Sequence, residues 1–223
     1  MSLQPEPQGQ AQTSPRRAGF RVGPFRAENE YYPTPAPATR ALLAHLSIEG
    51  SVWEPACGEG WIAKELVRAG HDVVATDIAD YGYGTAGVDF LDAQLPRAKN
   101  LITNPPYGNG LADQFIRKGL WFIERTGGTM AYLLNLSSLC HPERHGSFVR
   151  RPPSLVILLD EVHCFPNGKP EQATRWTRQH KYCWAVWTAV PATTTQLTWA
   201  STAEFTDAAI ARRNAQLKKG NLK

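Results

Sequence analysis

The chain has 223 residues, 42% hydrophobic and 20% charged, with 24 Lys and Arg against 20 Asp and Glu for a formal net charge of +4. That length suits one sizeable domain with a core of its own, and the balance is that of a soluble globular protein. No apolar run approaches the ~20 residues that span a bilayer, and the scattered cysteines and histidines offer neither a disulfide framework nor metal-ligand spacing.

Residues 1–28 are polar and rich in Pro and Gln, with no apolar signal core, which predicts a disordered leader and a cytoplasmic protein. Structure is expected to begin in "ENEYYPTPAPATRALLAHL", where Thr34 and Pro35 mark a helix start and Leu42, Leu43 and Leu46 form an apolar face. The chain then alternates. Strands are predicted at 51–55, 72–77, 87–90, 100–104, 128–136, 154–160 and 182–190, with helices at 61–70, 111–125, 138–149 and 202–217. Short continuous apolar runs separated by helices indicate βαβ units and a mostly parallel seven-stranded sheet covered on both faces. The connection 161–182 holds Pro166, Gly168 and Pro170 and no convincing helix, so the final strand is expected to run antiparallel.

"WEPACGEGWIAKEL" falls at the first strand-to-helix turn, the ligand position of an open α/β sheet. Gly58 and Gly60 permit a tight turn and close backbone approach. Asp77 ends the next strand, where a ribose-binding acid is expected. Glu54 argues against a pyrophosphate, because a carboxylate at the strand end repels phosphates and suits a cation. S-adenosylmethionine carries a sulfonium, an ammonium and no phosphate, so it fits this charge pattern.

"NLITNPPYGNG" ends the fourth strand on two prolines. Proline fixes φ, restricts the residue before it and removes N–H donors. Asn104-Pro105-Pro106 is therefore a stiff arm offering acceptors, the Asn104 side-chain oxygen and the Pro105 carbonyl, to a group with two N–H donors. Tyr107 adds a ring able to stack on a planar substrate. A pair of acceptors on an –NH₂ localises its lone pair for attack on a methyl group, so the catalysis expected is positioning and electrostatics.

These segments resemble the class I S-adenosylmethionine-dependent N6-adenine DNA methyltransferases, a family with a Rossmann-like sheet. "NPPY" matches the family's catalytic motif, which makes Asn104, Pro105, Pro106 and Tyr107 the catalytic residues. "EPACGEG" matches its cofactor loop and assigns Glu54, Ala56, Cys57, Gly58 and Gly60 to cofactor binding. "YYPTP" resembles the segment that caps the methionine end, bringing in Tyr32, Thr34 and Pro35. By the same resemblance Asp77 and Ile78 meet the ribose side, and Asp89 and Phe90 the cofactor's adenine. The likeness covers roughly residues 29–190. It is to the compact phage- or prophage-type members, which lack a separate target-recognition domain and read a short target or none. An RNA adenine methyltransferase and a protein glutamine methyltransferase use the same amine grip and stand as alternatives. A non-catalytic cofactor-binding protein is a further one.

The connection 161–182 carries Arg175, Trp176, Arg178 and Lys181, and the terminal segment 201–223 is also basic. Arginines on phosphates with a tryptophan against a base would make this connection the nucleic-acid contact. Packing of Trp176 over the sheet edge is the other reading. A single catalytic domain over 29–200 is compatible with a monomer.

Overall fold

The computed structural model describes residues 27–172 and 179–220. Seven strands form one sheet: β1 (Val52–Glu54), β2 (Val73–Ala75), β3 (Asn100–Thr103), β4 (Thr129–Asn135), β5 (Leu155–Leu159), β6 (Tyr182–Thr188) and β7 (Gln196–Ala200). Their spatial order is β2-β1-β3-β4-β6-β5-β7. All neighbours are parallel except at β6, which runs antiparallel to both β4 and β5. The sheet is mostly parallel, as expected, and the strand at 182–190 is the reversed one.

Two expectations change in membership. Residues 87–90 form no strand; Val88 N–H instead donates to the Asp77 carbonyl, and Phe90 is buried in the core. β6 is also not the last strand. Residues 189–195 turn the chain back, and β7 pairs with β5 from Leu155↔Gln196 to Leu159↔Ala200. Its sequence, "QLTWA", leaves Leu197 and Trp199 exposed, so it lacks the continuous apolar run that marks an inner strand.

The helices are α1 (Ala36–His45), α2 (Trp61–Arg68), α3 (Leu111–Thr126), α4 (Pro142–Arg150) and α5 (Asp207–Gly220). α1 begins one residue beyond Pro35, which occupies the cap position without a side-chain cap. The Thr34 hydroxyl is buried and has no hydrogen-bond partner among the described residues. Two apolar clusters lie against the sheet. One joins Ala38, Leu42, Ile62 and Leu66 of α1 and α2 to Ile102, Leu133 and Trp184. The other joins Phe115, Ile116, Phe122 and Ile123 of α3 to Trp53, Leu101, Met130 and Trp187. The Trp184 indole N–H reaches the Ala38 carbonyl at 2.8 Å, so this buried donor is satisfied.

Arg40 on α1 ties three elements together. Its Nε lies 2.7 Å from Glu65 Oε2 on α2, and its Nη1 lies 2.7 Å from Asp207 Oδ1 and 3.0 Å from the Phe205 carbonyl. No helix among the described residues is long and apolar enough to cross a membrane.

Candidate active site

β1, β2 and β3 end side by side, so the turns after them meet at one sheet edge. Together with the segment before α1 they enclose a cavity of about 640 Å³, within the ~300–1,000 Å³ range of small-molecule sites.

The turn after β1 is shaped by its glycines. Gly58 and Gly60 have φ of +51° and +78°, a region open to glycine and costly to other residues. A Cβ on Gly58 would stand 2.4 Å from the Tyr31 ring, and one on Gly60 2.3 Å from the Tyr83 ring. The close approach at these glycines is made in this structure by the protein's own aromatic rings. Tyr31 in turn stacks on Tyr81 with 4.4 Å between ring centroids.

Glu54 closes β1 and is 1% exposed. Its Oε2 accepts the Ala63 N–H at 2.7 Å. Burial holds its carboxyl well above the usual range; the Ala63 N–H opposes the shift and the nearby Asp77 charge adds to it. Asp77 accepts from Gly58 N–H at 2.8 Å and from Ala79 N–H at 3.0 Å, bracing the glycine turn against the end of β2. Burial raises its carboxyl too, against the pull of those N–H groups. The Cys57 thiol is pushed up to about 12 by burial, with the charges of Glu54 and Asp77 behind it, so it stays protonated at neutral pH.

Five carboxylates, from Glu30, Glu54, Asp77, Asp89 and Asp92, line the cavity, and its described lining contains no Lys, Arg or His. A phosphate would be repelled there, whereas a cationic, nucleoside-sized ligand would be drawn in. The unpartnered Thr34 hydroxyl at the same wall is a further polar group awaiting a partner. These residues fit S-adenosylmethionine: Glu54, Asp77 and Thr34 would supply charge and hydrogen bonds, and Phe90, Ile78 and Trp61 would supply apolar walls.

The proline arm follows β3. Asn104 and Pro106 line the cavity. The Asn104 Nδ2 donates to the Tyr32 carbonyl at 2.9 Å, which orients the carboxamide. The Pro105 carbonyl accepts no hydrogen bond among the described residues. Tyr107 departs from expectation. Its ring does not line the cavity but packs against both core clusters. Its hydroxyl sits 2.8 Å from Asn104 Oδ1 and 2.7 Å from the Leu133 carbonyl. A half-buried ring packed against both clusters and bound at its polar end is not free to stack on a substrate in this structure.

Of the other expected site residues, Tyr32, Ala56, Cys57, Gly58, Ile78, Asp89 and Phe90 line the cavity, while Pro35 and Gly60 do not line it and instead occupy the cap positions of α1 and α2. Lys181 is exposed, and its carbonyl accepts the Leu136 N–H. Arg175, Trp176 and Arg178 lie outside the described residues. Sequence reasoning passed over Trp61, 45% exposed on the cavity wall, and Tyr31, Tyr81, Glu30 and Asp92. The alternation "YGYG" at 81–84, just after Asp77, was the available signal for aromatic rings at this edge.

Neither protein-family models nor curated proteins match the sequence. Solved structures do. A candidate RNA methyltransferase from Pyrococcus horikoshii aligns with a TM-score of 0.52 at 13% identity, over 76% of this chain and 92% of that one. The M protein of the type I restriction enzyme EcoKI aligns with a TM-score of 0.50 at 13% identity, over 70% of this chain and 43% of that one. The fold is that of the Rossmann-like methyltransferases. A modification subunit of a candidate type I restriction enzyme from Vibrio vulnificus gives a TM-score of 0.49 at 14% identity, over 76% of this chain and 46% of that one. This chain thus spans less than half the length of both restriction-enzyme subunits.

Proposed function

We propose that this chain transfers a methyl group from S-adenosylmethionine to the exocyclic N6 amino group of adenine in DNA, as a compact enzyme of the kind its N-P-P-Y segment resembles. One observation carries the reading. The Asn104 carboxamide, its Nδ2 committed to Tyr32, presents Oδ1 as an acceptor beside an acid-lined cavity without a cation in its described lining.

S-adenosylmethionine, when bound, supplies a methyl group made electrophilic by sulfonium. Glu54 and Asp77, both lining the cavity, would balance its positive charge. Asn104 Oδ1 and the Pro105 carbonyl accept from the two amine hydrogens, favouring a tetrahedral nitrogen with a localised lone pair. The localised pair would then take the methyl group from the sulfonium, the C–S electrons remaining on sulfur, and the extra proton would leave to solvent. Acceptors fixed before the reaction stabilise the charge that develops on nitrogen without reorganising.

The segment 161–182 is the proposed nucleic-acid contact, with Arg175, Arg178 and Lys181 on phosphates and Trp176 against a base. Its described part reaches the site, since Asn167 N–H donates to the Tyr31 carbonyl at 3.0 Å, one residue from the carbonyl that holds Asn104.

Incubation with tritiated S-adenosylmethionine and, in parallel, unmethylated DNA, RNA and a protein extract tests the substrate. Label in N6-methyladenine from DNA is the expected product. Label confined to RNA or to glutamine in protein would replace DNA with that substrate. Asn104→Ala is expected to reduce transfer by about 10²–10³-fold, the scale for one preorganised electrostatic contact, with cofactor affinity largely kept.

A further inference from the structure

The Tyr107 hydroxyl faces more acceptors than it has protons. It lies 2.8 Å from Asn104 Oδ1 and 2.7 Å from the Leu133 carbonyl, yet a phenol has one hydrogen to donate. The carboxamide cannot relieve this by flipping, because a flip would set Oδ1 against the Tyr32 carbonyl that Nδ2 now satisfies.

The origin of the conflict lies in the sheet. The β3–β4 ladder ends at Thr103↔Tyr132. One residue further, Leu133 faces Asn104-Pro105, and proline has no N–H to extend the ladder. The buried Leu133 carbonyl therefore depends on Tyr107. Unsatisfied, it would cost as any buried acceptor does. Burial also holds the phenol well above its ordinary pKa, so the proton stays on the oxygen.

We propose that Tyr107 is a positioning residue whose hydroxyl holds Asn104 Oδ1 ready for an incoming amino group and turns wholly to the Leu133 carbonyl when that group arrives. This rests on the amino-methyl-transfer reading above. An arriving N–H takes over Oδ1, and one proton shared between two acceptors becomes two directed hydrogen bonds. A substrate presenting an acceptor at the same point would meet Oδ1 oxygen to oxygen and gain nothing. The preference for –NH₂ over a ring carbonyl is thereby built into the unliganded protein. The ring stays packed against the two core clusters throughout.

Tyr107→Phe and Tyr107→Leu in the full chain separate this role from stacking. Stacking requires a ring, so it predicts that Phe behaves as wild type and that Leu raises KM. The hydroxyl role predicts that both variants lose about tenfold in kcat, the rate equivalent of one ordinary hydrogen bond, with KM within about twofold. The second measurement needs no turnover. In ¹⁵N spectra the Asn104 side-chain amide, assigned by its loss in Asn104→Asp, should rotate faster in Tyr107→Phe than in wild type. Wild-type kcat in Tyr107→Phe, or an Asn104 amide indifferent to that change, overturns the proposal. Absence of transfer to any nucleic acid by the wild-type chain would instead remove the substrate assignment, and the amide spectra would still decide the role of Tyr107.

Discussion

Glu54→Gln should make the unliganded protein more stable and leave it unable to hold its cofactor. In wild type the carboxyl is 1% exposed, receives one N–H from Ala63 at 2.7 Å, and has Asp77 as a nearby like charge. Gln keeps the acceptor for Ala63 and removes the charge. The folded pKa is raised, so between the unfolded value near 4.5 and the folded one the native state binds more protons. Stability from this group is therefore full below pH 4.5 and falls as pH rises through that window. The loss at pH 7 cannot exceed the cost of keeping an ordinary carboxyl protonated there, about 3 kcal/mol at ~1.4 kcal/mol per pH unit. A gain of about 1–3 kcal/mol raises Tm by roughly 2–4 °C per kcal/mol in a chain of this size. Thermal unfolding of both proteins at pH 4.5, 5.5 and 7, with and without S-adenosylmethionine, measures this. The variant should melt higher at pH 7, the difference should close towards pH 4.5, and added cofactor should raise only the wild-type Tm. A variant less stable at pH 7, or a difference independent of pH, would refute the burial reasoning.

Gly58→Ala forces a residue into φ +51° and sets its Cβ 2.4 Å from the Tyr31 ring; about 2–3 kcal/mol of stability should disappear through the left-handed backbone and the broken Tyr31–Tyr81 stack, read by thermal melting. Arg175→Ala with Arg178→Ala should weaken DNA binding and lower the salt slope by about one for each phosphate no longer neutralised, measured by fluorescence anisotropy across a salt series. Glu65→Ala leaves Arg40, among the described residues, with Asp207 and the Phe205 carbonyl; denaturant unfolding should show a destabilisation of about 3 kcal/mol, as for other broken buried pairs.

The inner sheet was legible because its strands are buried on both faces and read as continuous apolar runs. β4 and β6, "TMAYLLN" and "YCWAVWT", are the clearest cases. β7 was illegible because an edge strand needs no such run, and residues 87–90 misled because Phe90 is apolar for a different reason: it fills the space between Trp53, Phe115 and Phe122. In the site, Glu54 and Asp77 follow from strand ends meeting at one edge, and Asn104 from the stiffness of prolines. Where the Tyr107 ring goes depends on the Leu133 carbonyl 26 residues away, a partner that local spacing does not encode. The rings over Gly58 and Gly60 are long-range partners of the same kind.

Those two glycines have a consequence for how this chain can diverge. Each ring occupies the volume that a side chain on its glycine would need. A larger residue at 58 is admissible only in a lineage that has already reduced Tyr31, and one at 60 only after Tyr83 has shrunk. Positions 31 with 58, and 83 with 60, should therefore change as pairs and in that order. An ancestor carrying the reverse order would have passed through a destabilised intermediate.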